Sequence, residues 1–331
     1  MLNELNNIPE GLLEAKSEDL YELLGNPTLI HLEGKNPTPL FISTLLHGNE
    51  TTGFYAVQKL LKQYSKTPLP RSLSIFIGNV EAAQQNQRHL DTQPDYNRIW
   101  PGTHISDSSE TDMMKNVVRI MHKRKPFASI DIHNNTGQNP HYACLNILNP
   151  HALQLASLFS TTTVYFTNPK GVQSSAFSDF CPAIVLECGQ SGEADGVSHS
   201  YRYIDRILNL DVIPEGNPEH LNLYHTIARV TIAAQFSFGI EENNDVVLLE
   251  ALESKNFHEL SKGSAFALSN NNDVILTVTN ESSEDVTAEF FNVEDNQLLL
   301  KRDITLSMYT TNTRAVRQDC LCYFMEKIHI D

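Results

Sequence analysis

The sequence lacks the features of several large classes of protein. Lysine and arginine together number 24 against 40 aspartates and glutamates, which gives a net charge of −16 with histidine counted as neutral. A surface that binds nucleic acid or an anionic membrane carries a basic footprint, so we expect neither partner. The longest apolar runs, such as residues 184–186, are far too short to span a membrane.

The sequence predicts neither a secretion signal nor a disulfide framework. Residues 1–5 show no basic stretch followed by an apolar one, so the sequence predicts no secretory signal. Five cysteines, an odd number in 331 residues, do not suggest a disulfide framework. Cys320 and Cys322 have no second pair that would complete a thiolate zinc site. We therefore expect small buried cysteines in a reducing cytoplasm.

The composition that remains is that of a globular protein, with 40% hydrophobic and 19% charged residues. Up to about residue 212, short β-rich runs alternate with helical patterns, which is typical of an α/β layer fold. Strand-like runs separated by polar turns follow, and residues 286–291 are one of them. We predict two domains: a catalytic domain of residues 1–212 and a smaller β-rich domain of residues 213–331.

The strongest local signal is the run H-G-N-E at residues 47–50. It follows a buried strand predicted over 40–46 and precedes a helical apolar stripe that begins at Phe54. His47 and Glu50 can converge on one ion across such a turn, and an imidazole nitrogen with a carboxylate oxygen suits zinc. The glycine between them lets the turn close tightly. An isolated H-x-x-E pattern is common, so an ordinary exposed turn stays an alternative at this point.

A third metal ligand is offered by His133 in the run I-D-I-H-N-N. The strand predicted over 128–132 ends at this histidine, and polar residues follow at once. In open α/β sheets, sites lie outside the carboxyl ends of the strands, and His47 occupies that position on another strand. One such histidine could merely cap its strand by hydrogen bonding. Two of them, with Glu50 beside one, favour a metal site.

A carboxylate, Glu187, ends the apolar strand predicted over 183–186. Burying this carboxylate costs desolvation free energy, which must be offset by a charged or hydrogen-bonding partner or be accepted for a catalytic role. Beside a metal-activated water it would act as a general base and then as a general acid toward a leaving amine. Taken alone, however, Glu187 is better explained by pairing with a structural lysine or arginine.

Two arginines and an amide share one loop of this acidic chain. The run D-Y-N-R, at residues 95–98, comes shortly after Arg88 and contains Asp95, Asn97 and Arg98. Arginine holds carboxylates through a bidentate fork and can stabilise an oxyanion. Either arginine taken singly would be expected at the surface in solvent.

Taken in order, the runs H-G-N-E, D-Y-N-R, D-I-H-N and L-E-C-G resemble the motifs of the succinylglutamate desuccinylase and aspartoacylase family, within the wider zinc carboxypeptidase superfamily. The resemblance extends from about Phe41 to Leu210 and more loosely through the β-rich part. It implies an α/β fold with a zinc-carboxypeptidase-like mixed sheet flanked by helices, followed by a smaller C-terminal β-rich domain.

The resemblance also implies roles for the motif residues. His47, Glu50 and His133 match the zinc ligands of the family. Glu187 matches its catalytic carboxylate, and Arg88 matches the arginine that polarises the scissile carbonyl. The implied cofactor is therefore one Zn²⁺ ion with a catalytic role.

Three further residues match positions around the substrate. Asn97 and Arg98 match the pair that holds the substrate carboxylate, and Asp95 matches the carboxylate that orients the first zinc histidine. Aspartoacylases carry another arginine roughly one strand-length before the catalytic glutamate. Residues 172–179 contain no arginine, and Lys170 is the only cation near this stretch in the sequence. The acyl group of the substrate therefore stays open.

We predict a cytoplasmic zinc-dependent amidohydrolase that cleaves the amide bond of a small N-acyl amino acid. The oligomeric state stays open. The first alternative is a metallocarboxypeptidase that acts on short peptides. The spacing of 83 residues from Glu50 to His133 is shorter than in digestive carboxypeptidases, which favours the deacylase. The second alternative, a binding protein on a decayed enzyme scaffold, is disfavoured because every ligand and base position is filled.

Overall fold

The computed structural model of the chain describes residues 1–270 and 273–329. The chain divides into two compact units. The first unit comprises Met1–Asn134, His141–Tyr165 and Pro169–Leu221, and the second comprises Asn135–Pro140, Phe166–Asn168 and the chain from Asn222 onward. The assignment of a catalytic domain to residues 1–212 and of a second domain to residues 213–331 stays a prediction.

The first unit is built on a mixed sheet. Its strands are β1 (Asn3–Leu5), β2 (Thr28–Leu32), β3 (Gly34–Thr44), β4 (Leu69–Ile77), β5 (Ala128–Asn135), β6 (Tyr142–Leu145), β7 (Thr162–Tyr165) and β8 (Ala183–Gln190). Their spatial order is β1-β2-β4-β3-β5-β8-β6-β7. Strand β3 runs parallel to both of its neighbours, β4 and β5. The carboxyl ends of β3 and β5 therefore meet at one edge of the sheet.

Helices flank this sheet on both faces. They are α1 (Leu20–Leu24), α2 (Thr52–Gln63), α3 (Val80–Gln84), α4 (Ser109–Arg124), α5 (Pro150–Phe159), α6 (Gln173–Ser178) and α7 (Ala194–Leu208). The alternation of side chains along β3 shows the two layers. Leu40 and Ile42 pack into a core with Ile204 of α7, whereas Phe41 packs into another core with Met114 of α4. The predicted α/β class, with a mixed sheet flanked by helices, is confirmed.

The second unit is rich in β-structure, as predicted. One set of paired strands is β9 (Asn222–Ile232), β12 (Glu259–Leu260), β14 (Leu276–Asn280), β17 (Ile304–Ser307) and β18 (Cys322–Ile328). The other set is β10 (Phe238–Gly239), β11 (Val246–Leu248), β13 (Ala265–Ser269), β15 (Phe291–Glu294) and β16 (Gln297–Leu300). The described part of this unit also contains the short α-helices α8 (Thr287–Phe290) and α9 (Thr313–Gln318) and a 3₁₀ helix over Glu250–Lys255. The strand expected over 286–291 is wrong for most of its length, because α8 occupies it.

Within residues 1–270 and 273–329, no helix has the length and apolar character needed to cross a bilayer.

Candidate active site

The turn between β3 and α2 carries His47 and Glu50. A Cβ atom at Gly48 would lie only 2.2 Å from the backbone nitrogen of Ala83 in α3. The backbone nitrogen of Gly48 also donates a hydrogen bond of 3.0 Å to the carbonyl oxygen of Arg88. A glycine is therefore required here, because the turn fits closely against α3 and is bonded to the loop that begins at Arg88.

Glu50 lies between two imidazole rings. Its Oε1 is 2.7 Å from Nδ1 of His47, and its Oε2 is 2.7 Å from Nδ1 of His133. All three side chains are buried, and one ligand atom from each lies within 4.8 Å of the others. Two imidazole nitrogens and a carboxylate form the donor set of many catalytic zinc sites, which keep the fourth position open.

The second nitrogen of each ring faces another carboxylate. Nε2 of His47 lies 3.0 Å from Oδ1 of Asp95, and Nε2 of His133 lies 2.7 Å from Oδ2 of Asp131. A metal-binding histidine usually gives its other N–H to such an acceptor, which fixes the tautomer. That tautomer leaves a lone pair on each Nδ1, directed toward Glu50. The arrangement therefore fits a zinc ion.

The charges of this cluster act strongly on one another. Burial opposes ionisation of Glu50, but His47 and His133 hold the pKa of its carboxyl well below the ordinary value. Burial acts to lower the pKa of His133, but Asp131 and Glu50 raise it well above its ordinary value. The carboxylates thus favour positive charge on the ring. A divalent cation competes with that proton, because imidazole binds metals in its neutral form.

Asp131 is a site residue that the sequence analysis did not assign. It is fully buried in β5, and its Oδ1 accepts a hydrogen bond of 2.7 Å from Oγ of Ser43 in β3. Residues two apart in a strand share a face, so Asp131 and His133 point the same way while Ile130 and Ile132 enter the core on the other side. The available signal was a carboxylate two residues before the histidine in an otherwise apolar strand.

Arg88 is fixed beside the cluster by Asp95. Its Nε and Nη2 donate to Oδ2 of Asp95 at 3.1 and 2.9 Å, and its Nη1 lies 3.8 Å from Oε1 of Glu50. Burial alone would raise the pKa of Asp95, but Arg88 and His47 hold it well below its ordinary value. Asp95 is therefore a carboxylate that contacts Arg88 and His47 together.

Asn97 and Arg98 follow in the same loop. Nδ2 of Asn97 lies 3.3 Å from Nε2 of His133, and its Oδ1 accepts a hydrogen bond of 3.1 Å from the backbone nitrogen of Gln173. Nη1 of Arg98 donates to the carbonyl oxygen of Asn97 at 2.9 Å. When Nε2 of His133 donates to Asp131, it has no lone pair for Asn97. The amide hydrogens of Asn97 can then serve a bound ligand.

Glu187 is buried in β8, opposite Tyr142 of the neighbouring strand β6. Burial raises the pKa of its carboxyl to about 8, His133 opposes the rise, and the negative charges of Glu50 and Asp131 add to it. These interactions place Glu187 within electrostatic range of the cluster. The structure thus brings all the residues predicted for the site into one neighbourhood, and their roles stay predictions.

Several solved structures share this fold. Succinylglutamate desuccinylase from Vibrio parahaemolyticus is 14% identical, with a TM-score of 0.65, and the match covers 97% of this chain and 96% of that one. Murine aminoacylase 3 is 15% identical, with a TM-score of 0.60 and coverage of 89% and 97%. An ectoine utilization protein from Ruegeria pomeroyi is 13% identical, with a TM-score of 0.56 and coverage of 91% and 88%. No curated protein sequence matches the chain.

The sequence also matches a family model, described as the succinylglutamate desuccinylase/aspartoacylase catalytic domain. The match covers residues 37–209, which is just over half of the 331 residues. It includes every residue predicted for the site, from His47 to Glu187. The chain therefore belongs to the succinylglutamate desuccinylase/aspartoacylase family.

Proposed function

We propose that this protein is a zinc-dependent hydrolase that cleaves the amide bond of an N-acyl amino acid. The products are a carboxylic acid and a free amino acid. The observation that carries the proposal is the buried group of His47, Glu50 and His133, with the carboxyl of Glu187 in electrostatic range. Zinc, when bound there, polarises a carbonyl and lowers the pKa of water.

The ion would be held by Nδ1 of His47, the carboxylate of Glu50 and Nδ1 of His133. Asp95 and Asp131 would keep the two rings oriented through their Nε2–H groups, which lie 3.0 and 2.7 Å from the respective carboxylates. Such outer partners matter for metal affinity because they fix both the tautomer and the direction of the lone pair.

Glu187 is the group proposed to move the proton. Burial raises the pKa of its carboxyl to about 8, so it can both gain and lose a proton near neutral pH. It accepts a proton from the attacking water and returns it to the departing amine nitrogen. A group whose pKa lies near the working pH is the most effective in both steps.

Arg88 and Arg98 have different proposed roles in binding the substrate. Arg88 donates to the carbonyl oxygen as negative charge develops there, and its two hydrogen bonds to Asp95 hold the guanidinium in place beforehand. Arg98 and the amide of Asn97 hold the carboxylate of the substrate. A small N-acyl amino acid presents both an amide carbonyl and a carboxylate.

We also propose that the enzyme works in the cytoplasm. All five cysteines are free and buried. Burial raises the pKa of the thiols of Cys181 and Cys320 to about 12, which makes them unreactive. Free thiols are the usual state in a reducing compartment.

A substrate screen with controlled metal content tests the function. N-acetyl and N-succinyl amino acids and unblocked dipeptides are offered to the zinc-loaded enzyme and to the enzyme treated with a chelator. We expect N-acyl amino acids to be hydrolysed, activity to disappear on chelation, and zinc to restore it. Turnover of the dipeptides alone would favour the carboxypeptidase alternative and contradict the proposal.

A further inference from the structure

A separate cleft opens elsewhere in the first unit, lined by none of the residues of the proposed active site. Its volume is about 510 Å³. Sites for small molecules usually measure roughly 300–1,000 Å³, so the cleft is large enough for one. Part of its wall is apolar and includes Ile8, Leu61 and Leu69. The rest of the wall is polar.

Two side chains of opposite charge line this cleft. Arg124 is the last residue of α4, and Glu33 lies between β2 and β3. Both are exposed. Within the described part of the chain, neither side chain forms an ion pair or a hydrogen bond, so both charges can engage a ligand. A cleft with available charges of both signs and an apolar wall suits a small molecule with the same three features.

His31 contributes a buried polar group to the same wall. Its Nδ1 lies 2.9 Å from Oγ of Ser74, whereas its Nε2 makes no hydrogen bond within the described residues, and Oε1 of Glu4 lies 3.3 Å away. Burial and the positive charge of Arg124 lower the pKa of His31, while Glu4 opposes this. Arg124 and His31 thus both line the cleft.

We propose that this cleft binds a free amino acid with an apolar side chain. Arg124 holds the carboxylate of the ligand, Glu33 holds its ammonium group, and the apolar wall takes its side chain. A ligand with negative charges alone is disfavoured, because Glu33 and Glu4 repel it. The binding itself is independent of the reaction at the active site. A role in product feedback rests on the proposed function, since an amino acid is a product of that reaction.

Calorimetric titration with L-leucine tests the proposal on the full chain. The titration is done in an Arg98→Ala background, which weakens binding of the ligand carboxylate at the proposed active site. We expect leucine to bind, and Arg124→Gln or Glu33→Gln to weaken its binding at least tenfold. Arg119→Gln is the matched control, because Arg119 is exposed on the same helix and does not line the cleft. Glu33, Arg119 and Arg124 are all exposed, and an unchanged thermal midpoint verifies that each variant is folded.

Two analogues separate the charges of the ligand. 4-Methylpentanoate lacks the ammonium group of leucine and 3-methylbutylamine lacks the carboxylate, so each should bind at least tenfold more weakly. Absence of leucine binding in the Arg98→Ala background would overturn the proposal, as would binding that ignores Arg124 and Glu33. Citrate, which carries negative charges alone, is titrated as well. If citrate or either single-charge analogue bound as tightly as leucine, the proposal would also be overturned. Because no turnover is measured, failure here is distinct from failure of the proposed function.

Discussion

Individual atoms decide the chemistry of the His47–Glu50–His133 cluster. Each histidine presents Nδ1 to Glu50 and Nε2 to an outer carboxylate. The three ligands could be predicted from the sequence because each polar residue ends or follows an apolar strand. The role of Asp131 could not, because a buried aspartate is explained only by its partners. Its partner His133 lies on the same strand, β5, whereas its partner Ser43 lies on β3, 88 residues earlier in the chain.

Replacement of Glu187 by glutamine should separate metal binding from catalysis. The amide keeps the shape of the carboxyl group but cannot accept the proton of water. General acid–base groups typically contribute about 10²–10⁴-fold to rate, so we expect a loss of that size with unchanged zinc content. Steady-state kinetics and metal analysis of both proteins measure the two quantities. A loss below about tenfold would indicate a structural role for Glu187.

Replacement of Asp131 by asparagine should weaken zinc binding. The amide oxygen still accepts the Nε2–H of His133 but carries no negative charge, so the ring becomes a poorer ligand. Loss of such an outer partner typically costs about 10–100-fold in metal affinity or activity. Competition with a chromogenic chelator measures the affinity. Asp112→Asn, at an exposed position of α4, is the control and should change nothing. Equal zinc affinity in the two variants would show that Asp131 does not contribute to zinc binding.

The two arginines should differ in their kinetic effects. Arg98→Ala removes the partner of the substrate carboxylate in both ground state and transition state, so mainly KM should rise. Truncation of such a charged partner costs roughly 2–5 kcal/mol in a desolvated site. Arg88→Ala should instead lower kcat, because the carbonyl oxygen gains charge only in the transition state. Initial-rate kinetics on one N-acyl amino acid checks both, and identical effects of the two variants would contradict the division of roles.

Long helices and strands could be predicted because their apolar period is evident. Apolar residues at positions 113, 114, 117, 118, 120 and 121 have the period of a helix, and α4 extends over Ser109–Arg124. The apolar period does not reveal where α4 begins, because its start depends on a capping contact in which Oγ of Ser108 accepts a hydrogen bond from the backbone nitrogen of Thr111. Short elements were predicted poorly. The run Thr287–Phe290 forms a single helical turn, and β6 has only four residues, so pairing with β7 and β8 determines its structure.

The close fit of the turn between β3 and α2 against α3 can be tested by substitution of Gly48. Gly48→Ala would place a Cβ atom 2.2 Å from the nitrogen of Ala83 and 2.3 Å from the carbonyl carbon of Ala82. The turn or α3 must shift, which moves His47 relative to Glu50. We expect a loss of about 1–3 kcal/mol in unfolding free energy, together with weaker zinc binding.

Denaturant unfolding and zinc titration measure both effects of Gly48→Ala. Gly216→Ala is the matched control, since Gly216 has a positive φ of 80° but open space around its Cβ position. It should cost about 1–2 kcal/mol through backbone strain and leave the zinc affinity unchanged. If the Gly48 variant bound zinc as tightly as the control variant, close contact with α3 would not be what positions His47.

Considered as a whole, the molecule is strongly acidic while its proposed substrate is an anion. The family model ends at residue 209, so the part of the second unit from Asn222 onward lies beyond it. Binary patterning was sufficient to predict β-rich character there, because alternating apolar residues indicate strands. It could not give the order of the strands, in which β9 pairs with both β14 and β18 from distant parts of the chain.

The net charge of −16 gives a prediction about ionic strength. At about 0.01 M salt the Debye length is roughly 30 Å, so the field of the whole molecule repels an anionic substrate. At about 0.15 M it falls to roughly 8 Å, which screens this repulsion but acts less on contacts inside a desolvated site. We therefore expect kcat/KM for an N-acyl amino acid to rise as salt increases over this range. The corresponding carboxamide, which is neutral, should be a poor substrate and show little salt dependence. Initial rates for the two compounds check this. A fall in kcat/KM with salt for the free acid would mean that Arg98 and Arg88 dominate its approach.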